Sequence, residues 1–243
     1  MDKLIQRNQH DGGILVPGRT PVLEALKSDS ALMIYAREGL KGISDLLKMA
    51  KEAQVPIQYM SKDELDIMFP NNQGILALSR YAYADLDDVL HTPSPFFLIL
   101  DHVQDSYNLG AILRSALAFG VDAVIVPNRR AAALTPAAAK ASAGAFAHIP
   151  IVQVANISQT IQKLQSNNIW VFCAALEGRP IASVDFKGSL AIVIGNEHEG
   201  ASRLVKEKSD YLISIPTQGP LSSLNASVAA GIVLYEAHRQ RQA

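Results

Sequence analysis

The sequence has a single cysteine, Cys173, among its 243 residues. One cysteine excludes an internal disulfide and any zinc cluster built from cysteines, and it is typical of a reducing compartment. Long apolar runs are also missing, because no segment reaches the roughly 18 unbroken apolar residues that a membrane helix needs. Residues 1–11 lack the apolar stretch of a signal peptide. These absences predict a cytoplasmic protein that does not span a membrane.

An excess of charge of either sign is lacking as well. The formal net charge is -1, whereas proteins that coat nucleic acid through bulk electrostatics usually carry a strong basic excess. A local basic face is compatible with this total, and scattered solvated charge explains the same residues equally well. The candidates for such a face are Arg19, Arg80, Arg129, Arg130, Lys140, Arg239 and Arg241.

Two binding patterns are absent. No G-x-G-x-x-G follows an early strand pattern, which argues against a nucleotide-dependent oxidoreductase. The histidines show no spacing typical of zinc ligands, so no metal site is predicted. They are His10, His91, His102, His148, His198 and His238.

The chain contains a succession of short helix and strand patterns. Near its start, Thr20 and Pro21 read as an N-cap and the first position of a helix. Ser61 and Glu64 form a capping box for another short helix. Residues 1–80 are therefore predicted to be a small α/β domain. Its other expected elements are a helix at 43–50 and strands at 31–36, 55–60 and 75–78.

Residues 81–95 are acidic and then rich in proline, which is typical of a connection between domains. From residue 96 to residue 243, apolar strands without polar alternation are spaced by helices. This pattern predicts a second α/β domain with a parallel sheet covered on both faces. The expected strands are 96–100, 123–126, 169–174, 190–194 and 211–215, and the expected helices are 108–119, 136–142, 157–165 and 223–239.

Ligands of open α/β sheets gather at the carboxyl ends of strands, so the residues after each strand are informative. After the strand at 96–100, Asn108 is expected at a helix N-terminus, as a plain cap or as a ligand contact, and Arg114 lies on the same helix. An arginine among small and apolar residues needs a partner if it is buried.

Two further strand ends carry polar residues. The strand at 190–194 ends in Gly195-Asn196-Glu197-His198-Glu199-Gly200, where glycine lets a ligand approach the backbone. The acid in this loop argues against a nucleotide phosphate. His198 reads first as a solvent-facing loop residue, with a cap and a catalyst as alternatives. The strand at 211–215 leads through a Pro/Gly loop into a helix of small residues that carries Asn225.

Together, these three junctions closely resemble the three motifs of the SpoU family, the RNA 2'-O-ribose methyltransferases of the trefoil-knotted SPOUT superfamily. The resemblance covers residues 96–240 and is most specific over 215–236. Residues 18–26 and 72–75 also resemble this family's substrate-binding domain, which has a ribosomal-protein-like fold. Within the family, the likeness is greatest to the bacterial enzymes that methylate a guanosine ribose of 23S rRNA.

The resemblance implies roles for individual residues. It assigns catalysis to Asn108, Arg114, Glu197 and Asn225, and contacts with the methyl donor S-adenosylmethionine to Gly195, Ile215 and Leu224. It also implies an RNA substrate and a homodimer, for which the closing helix with Val228, Ile232, Val233 and Tyr235 is a candidate interface. A core-facing stripe is the equal alternative for that helix. Ser106 and Ala226 depart from the common motif residues, proline and valine.

Several alternatives remain open at this point. Glu197 and Arg114 can form an ordinary ion pair that supports the loop. The chain can also be an RNA-binding module without catalysis, although the four motif residues are intact. Among substrates, tRNA is the rival of 23S rRNA.

Overall fold

The computed structural model describes residues 13–197, 199–218 and 223–242. Residues 1–11, His198 and the loop residues 219–222 lie outside this range, so the predictions made for them are not compared with the structure. The described residues form two compact units. The first unit contains the residues up to Ala82 together with Leu134–His148, and the second contains Tyr83–Ala133 and the residues from Ile149 onward.

Ten strands and nine α-helices are defined within the described residues. In chain order they are β1 (Gly13–Pro17), α1 (Arg19–Lys27), β2 (Ala31–Arg37), α2 (Ser44–Glu52), β3 (Ile57–Met60), α3 (Lys62–Met68), β4 (Ile75–Arg80), α4 (Leu86–Leu90), β5 (Phe96–Asp101), α5 (Ser106–Ala118), β6 (Ala123–Pro127), α6 (Pro136–Ala141), β7 (Ile151–Val154), α7 (Ile157–Ser166), β8 (Trp170–Pro180), β9 (Leu190–Gly195), α8 (Arg203–Lys208), β10 (Tyr211–Ser214) and α9 (Ala226–Arg241).

The first unit is built on a four-stranded sheet in the order β1-β4-β2-β3. Strand β4 is antiparallel to both β1 and β2, whereas β3 is parallel to β2. One cluster of its core joins buried apolar residues from the sheet and from α3. The residues of this cluster are Leu15, Tyr35, Met60, Leu65 and Leu76.

The ends of two helices test the predicted caps. The capping box at α3 is confirmed, because the Ser61 hydroxyl accepts from the Glu64 N–H while the Glu64 carboxylate accepts from the Ser61 N–H. The predicted start of α1 is wrong by two residues. Gly18 is its N-cap, with a φ of 105°, and Thr20 makes no capping bond. A left-handed φ favours glycine, and this preference outweighs the capping propensity of threonine.

The segment Leu134–His148 packs within the first unit, although the sequence analysis placed it in residues 96–243. Helix α6 packs on β1, and Glu24 of α1 lies 2.8 Å from Nε2 of His148. Gly144 has a φ of +91°, and a Cβ there would lie 2.5 Å from the Glu24 Cβ. The packing therefore requires glycine at this position. Whether residues 1–80 and 96–243 are independent domains stays a prediction.

The second unit is built on a six-stranded sheet in the order β10-β8-β9-β5-β6-β7, in which every pairing is parallel. This confirms the predicted α/β fold with a parallel sheet. All six residues of β5 are buried, which explains its unbroken apolar sequence. Helix α9 packs along α5 and against β9. The sheet thereby fixes the positions of the loops that follow β5, β9 and β10.

Four short elements were not predicted from the sequence: β1, β7, α4 and α8. Helix α4 lies inside the predicted linker, where Asp85 caps it and Val89 joins the core of the second unit. No helix of the described residues is long and apolar enough to cross a membrane.

Candidate active site

Three of the four predicted catalytic residues meet at the carboxyl ends of the parallel strands. Asn108 follows β5, Glu197 follows β9 and Asn225 follows β10. The Asn108 Nδ2 donates to Oε1 of Glu197. The Asn225 Nδ2 donates to Oδ1 of Asn108 at 3.0 Å. We call this chain of side chains the amide relay; it orients both amides and one carboxylate oxygen.

The relay depends on how two helices begin. Asp105 caps α5 by accepting from the Asn108 N–H at 2.7 Å, so the plain N-cap reading of Asn108 is wrong. The Asn108 side chain is thereby left available for Glu197. Asn225 is itself the N-cap of α9, and its Oδ1 accepts from the N–H groups of Ser227 and Val228.

Arg114 is not part of the relay. It is exposed on α5, so its need for a buried partner does not arise. Within the described residues, its guanidinium makes no hydrogen bond and no ion pair. The alternative of an Arg114–Glu197 ion pair that supports the loop is therefore wrong. All the N–H donors of the Arg114 guanidinium remain available to an external ligand.

A cavity of about 270 Å³ lies beside the relay. Its described lining includes Gly195, Ile215 and Leu224, the three residues predicted to contact the methyl donor. Glu197 also lines the cavity, as does Ala226, the residue after Asn225. The cavity and the amide relay thus share one wall.

Gly195 is needed because two backbone segments touch at the end of β9. A Cβ at this position would lie 2.0 Å from the Ala201 nitrogen and 2.1 Å from the Gly200 carbonyl carbon. Two backbone hydrogen bonds close the loop at its base: the Asn196 N–H donates to the Gly200 carbonyl at 3.1 Å, and the Gly200 N–H donates to the Asn196 carbonyl at 2.9 Å. No other residue type fits this approach, which places the Glu197 loop against the cavity.

Strand β8 provides a wall of the cavity that was not predicted from the sequence. The pairing of β8 with β10 jumps from Cys173 to Arg179 while β10 advances by one residue, so residues 174–178 bulge out of the strand. Residues 174–177 of this bulge line the cavity. A Cβ on Gly178 would lie 2.4 Å from backbone atoms of Ile213. The sequence feature that indicates this bulge is Glu177-Gly178 directly after the apolar part of β8.

A buried carboxylate holds the Glu197 loop from beneath. Asp101, at the end of β5, is 1% exposed and pairs in register with Gly195. Its Oδ2 accepts from the Ser202 N–H at 2.7 Å. The Asn196 amide donates to the His102 carbonyl at 3.0 Å.

Among the described residues of the cavity lining, acids outnumber bases. The acids are Glu177, Glu197 and Glu199, and the base is Lys206. The Glu177 carboxylate lies 3.0 Å from the Lys206 Nζ. A hydrogen bond from its own backbone N–H, and then the bond to Lys206, lower the pKa of Glu177. Such a lining suits a ligand with positive charge better than a phosphate.

Metal ligation is not indicated by the described side chains. They contain no group of three or more His, Cys, Asp or Glu residues placed to hold a metal ion.

Comparison with known proteins identifies the family. A model described as the SpoU rRNA Methylase family matches residues 95–235, and one described as RNA 2'-O ribose methyltransferase substrate binding matches residues 15–82. The chain is 42% identical to "Putative TrmH family tRNA/rRNA methyltransferase YacO" of Bacillus subtilis (strain 168). That alignment spans 244 residues, 96% of this chain and 97% of the relative.

Solved structures show the same fold. The SpoU methyltransferase AviRb from Streptomyces viridochromogenes superposes with a TM-score of 0.84 at 27% identity, over 98% of this chain and 93% of that chain. AviRb in complex with the cofactor AdoMet superposes with a TM-score of 0.86 at 24% identity, over 98% and 94%. The chain therefore belongs to the SpoU rRNA methylase family, whose members are RNA 2'-O-ribose methyltransferases with S-adenosylmethionine as methyl donor.

Proposed function

We propose that this protein is a cytoplasmic enzyme that methylates the ribose 2'-hydroxyl of a guanosine in 23S rRNA. The observation that carries the proposal is the amide relay against the wall of an acid-lined cavity. The three residues of the relay come from three different strand ends and meet at one edge of the sheet.

The cavity suits the methyl donor because its lining is acidic and because it exposes backbone and apolar groups. S-adenosylmethionine supplies an electrophilic methyl group on a positively charged sulfur. The acidic lining favours that charge, and Gly195, Ile215 and Leu224 offer backbone and apolar surface to the rest of the molecule. In the reaction, the 2'-oxygen forms a bond to the methyl carbon while the carbon–sulfur bond breaks. The electron pair of that bond stays on the sulfur of the departing S-adenosylhomocysteine, and the hydroxyl proton passes to solvent water.

Among the described residues, the guanidinium of Arg114 has no hydrogen-bond or ion-pair partner and is exposed. We assign it to the 2'-oxygen or its neighbouring phosphate, where it stabilises the negative charge that develops on the oxygen. The family resemblance also allows Arg114 to act as a general base. That is the weaker assignment, because arginine side chains stay protonated in proteins. The relay residues position the ribose and the Glu197 loop around it.

The chain path supports the knot that the resemblance implies. Strand β10 lies at the edge of the sheet beside β8, whereas α9, which follows it, packs on α5 and β9. The chain thus leaves the edge strand β10 and continues in a helix that packs nearer the middle of the sheet, as the knotted fold also requires. Knots are otherwise nearly absent from proteins.

A homodimer is supported by the outer face of α9. Val228, Ile232 and Tyr235 lie at i, i+4 and i+7 and are exposed by 49%, 36% and 54%. Val233 is fully buried, so this member of the predicted interface belongs to the core. An exposed apolar stripe on the helix that begins at the relay supports a second subunit next to the site.

A tRNA substrate is the second candidate, because the name of the Bacillus subtilis relative includes both tRNA and rRNA. The match of residues 15–82 to a substrate-binding model supports RNA in general and does not separate the two.

The test is transfer of labelled methyl from S-adenosylmethionine to purified unmodified 23S rRNA and to bulk tRNA. Arg114→Ala should lower turnover by about 100- to 1,000-fold, the usual loss when one charge-stabilising donor is removed. Arg114→Lys keeps the charge and loses the fork, so near-normal turnover of this variant would exclude a need for the guanidinium.

The distribution of label decides the substrate. Label in rRNA that Arg114→Ala abolishes supports the proposal, whereas label in tRNA alone keeps the chemistry and replaces the substrate. No label in either RNA, with the donor still bound, would favour a non-catalytic RNA-binding module.

A further inference from the structure

Strand β5 is followed by a strained residue that belongs neither to the amide relay nor to the described lining of the cavity. His102 comes directly after the last residue of β5 and has a φ of 62°, in the left-handed region. Histidine is one of the few non-glycine residues enriched there, but glycine adopts this φ without strain. Strain of this kind persists only where the surroundings hold the residue in place, and it is concentrated at functional sites.

The ring of His102 lies against a buried carboxylate. Its Nδ1 is 2.6 Å from Oδ1 of Asp101, whose side chain is 1% exposed. Within the described part of the chain, this oxygen accepts no hydrogen bond, so the ring is close to it without being aligned for one. Among the described residues, His102 is the one basic side chain paired with this carboxylate. A buried carboxylate is costly unless it is paired, so the contact fixes both side chains.

The same two residues hold both ends of the loop that carries Glu197. The His102 carbonyl accepts from the Asn196 amide at 3.0 Å, on one side of Glu197. Oδ2 of Asp101 accepts from the Ser202 N–H at 2.7 Å, on the other side. The Glu197 loop is therefore anchored twice to the end of β5.

The other half of the relay starts from the same place. The chain runs from His102 through a short connection into α5, whose Asn108 donates to Glu197. The Val103 carbonyl accepts from the Ala132 N–H at 2.8 Å, which fixes this connection. The Glu197 carboxylate and the Asn108 amide thus meet because both of their loops are held at the end of β5.

We propose that His102 is a positioning residue for methyl transfer. Paired with Asp101, its ring holds the end of β5 in the left-handed turn, and this turn sets how Glu197 meets Asn108. The inference rests on the proposed function, in which the relay residues position the ribose, and deepens it by naming what aligns the relay. His102 acts through Glu197 and needs no contact with the RNA or with the methyl donor.

The experiment removes the ring and keeps the backbone. His102→Gly relieves the strain at a φ of 62° and retains the carbonyl that binds Asn196. Asn168→Gly is the matched control, because Asn168 is exposed and has a φ of 59°. It precedes β8, at the end of the sheet away from the relay. Methyl transfer from S-adenosylmethionine is measured on whichever of 23S rRNA and bulk tRNA the wild-type protein labels.

His102→Gly should lower kcat by about 10- to 100-fold, the loss expected when reacting groups are slightly misplaced. The KM for RNA and the affinity for S-adenosylmethionine should stay near their wild-type values, and Asn168→Gly should turn over normally. Both glycine variants should melt near the wild-type temperature, because each loses the same backbone strain. A lower melting temperature of His102→Gly with an unchanged kcat would show a purely structural role and overturn the inference.

A conservative variant provides the rescue. Asparagine tolerates positive φ, and its amide nitrogen takes the place of the ring Nδ1 beside Asp101. His102→Asn should therefore recover most of the turnover that His102→Gly loses. Equal losses in the two variants would mean that the contact with Asp101 positions nothing.

A double variant tests the route through Glu197. Glu197→Ala removes the carboxylate that is positioned, so adding His102→Gly to it should lower turnover no further. If the two losses were instead fully additive, His102 would not act through Glu197 and the inference would be wrong.

Failure of this inference differs from failure of the proposed function. If Glu197→Ala is impaired while His102→Gly turns over like Asn168→Gly, the inference is wrong and the proposed function is unaffected. If Glu197→Ala keeps full turnover, the relay has no part in the reaction and both are wrong. A wild-type protein that methylates neither RNA would also overturn both.

Discussion

Asn225 uses the two ends of its amide for different purposes. Its Oδ1 caps α9, and its Nδ2 donates to Asn108. Asn225→Asp keeps the cap and places a second acceptor 3.0 Å from the Asn108 Oδ1. We expect its melting temperature to stay near the wild-type value while methyl transfer falls by about 10- to 100-fold.

Asn225→Ala removes both functions and is the comparison. It should lose about 1 kcal/mol of unfolding free energy in addition to activity, since a capping side chain is removed. If Asn225→Asp retained full turnover, the donation to Asn108 would have no part in the reaction.

Cys173 gives a prediction about pH. It is fully buried, and burial raises the pKa of its thiol to about 12. At pH 8 the thiolate fraction is then about one in ten thousand, so a thiol reagent should label the native protein far more slowly than the denatured chain. Rapid labelling of folded protein at pH 8 would contradict the burial.

The same shift has a consequence for stability. An unfolded chain ionises this thiol near its ordinary pKa of 9.0, whereas the native protein does so only at about 12. Stability is therefore unaffected below pH 9 and falls as the pH rises from 9 toward 12. Chemical denaturation should show this extra fall in the wild type and not in Cys173→Ala.

At the residue scale, the sequence identified the members of the relay and not their contacts. Both Asp105 and Asn108 are good capping residues, and only the chain path of α5 shows that Asp105 takes the cap. The apolar helix neighbours of Arg114 left open whether it is buried with a partner. Its exposure depends on which face of α5 meets α9, which no local pattern contains.

At the scale of elements, the fold of the segment Leu134–His148 depends on Gly144. An alanine there needs a φ of +91° and would place its Cβ 2.5 Å from Glu24. We expect Gly144→Ala to lower the unfolding free energy by about 2 to 4 kcal/mol through backbone strain and overpacking.

Gly39→Ala is the matched control for this change. Gly39 also has positive φ, 66°, but nothing lies within 4 Å of an added Cβ. It should cost about 1 kcal/mol, the strain alone. Equal losses in urea unfolding of the two variants would mean that the contact with Glu24 adds nothing.

The elements that sequence reasoning found are those with strong local patterns. Buried strands such as β5 and β9 are unbroken apolar runs, and α3 has a capping box. Strand β1 and helix α4 have five residues each, too few for a period to stand out. The bulge of β8 depends on the close approach of Gly178 to β10, which is a tertiary contact.

At the scale of the whole molecule, the exposed stripe on α9 predicts the assembly. Ile232→Glu places a charge at its centre and should convert a homodimer into a monomer in light scattering at micromolar concentration, with loss of methyl transfer. Leu204→Glu makes the same kind of change on α8, where Leu204 is 48% exposed. This control should stay dimeric. A monomeric wild-type protein would overturn the dimer.

At this scale, composition indicates a change of unit near residues 81–95, but it does not indicate that Leu134–His148 belongs to the first unit. The proline-bearing stretch before β5 marks a change of unit, and residues 134–148 carry no such mark. Their alanine-rich helix suits a close contact with any neighbour. Only the contacts of Gly144, His148 and α6 show which unit it joins.

This membership constrains how relatives can exchange parts. The chain passes between the two units three times, after Ala82, after Ala133 and after His148. A gene fusion that supplied only the stretch before residue 83 would bring Glu24 without Gly144 and His148. Recombination between family members should therefore preserve folding only when the residues up to Ala82 and the segment Leu134–His148 are inherited together. We expect substitutions in one of these stretches to be matched by substitutions in the other.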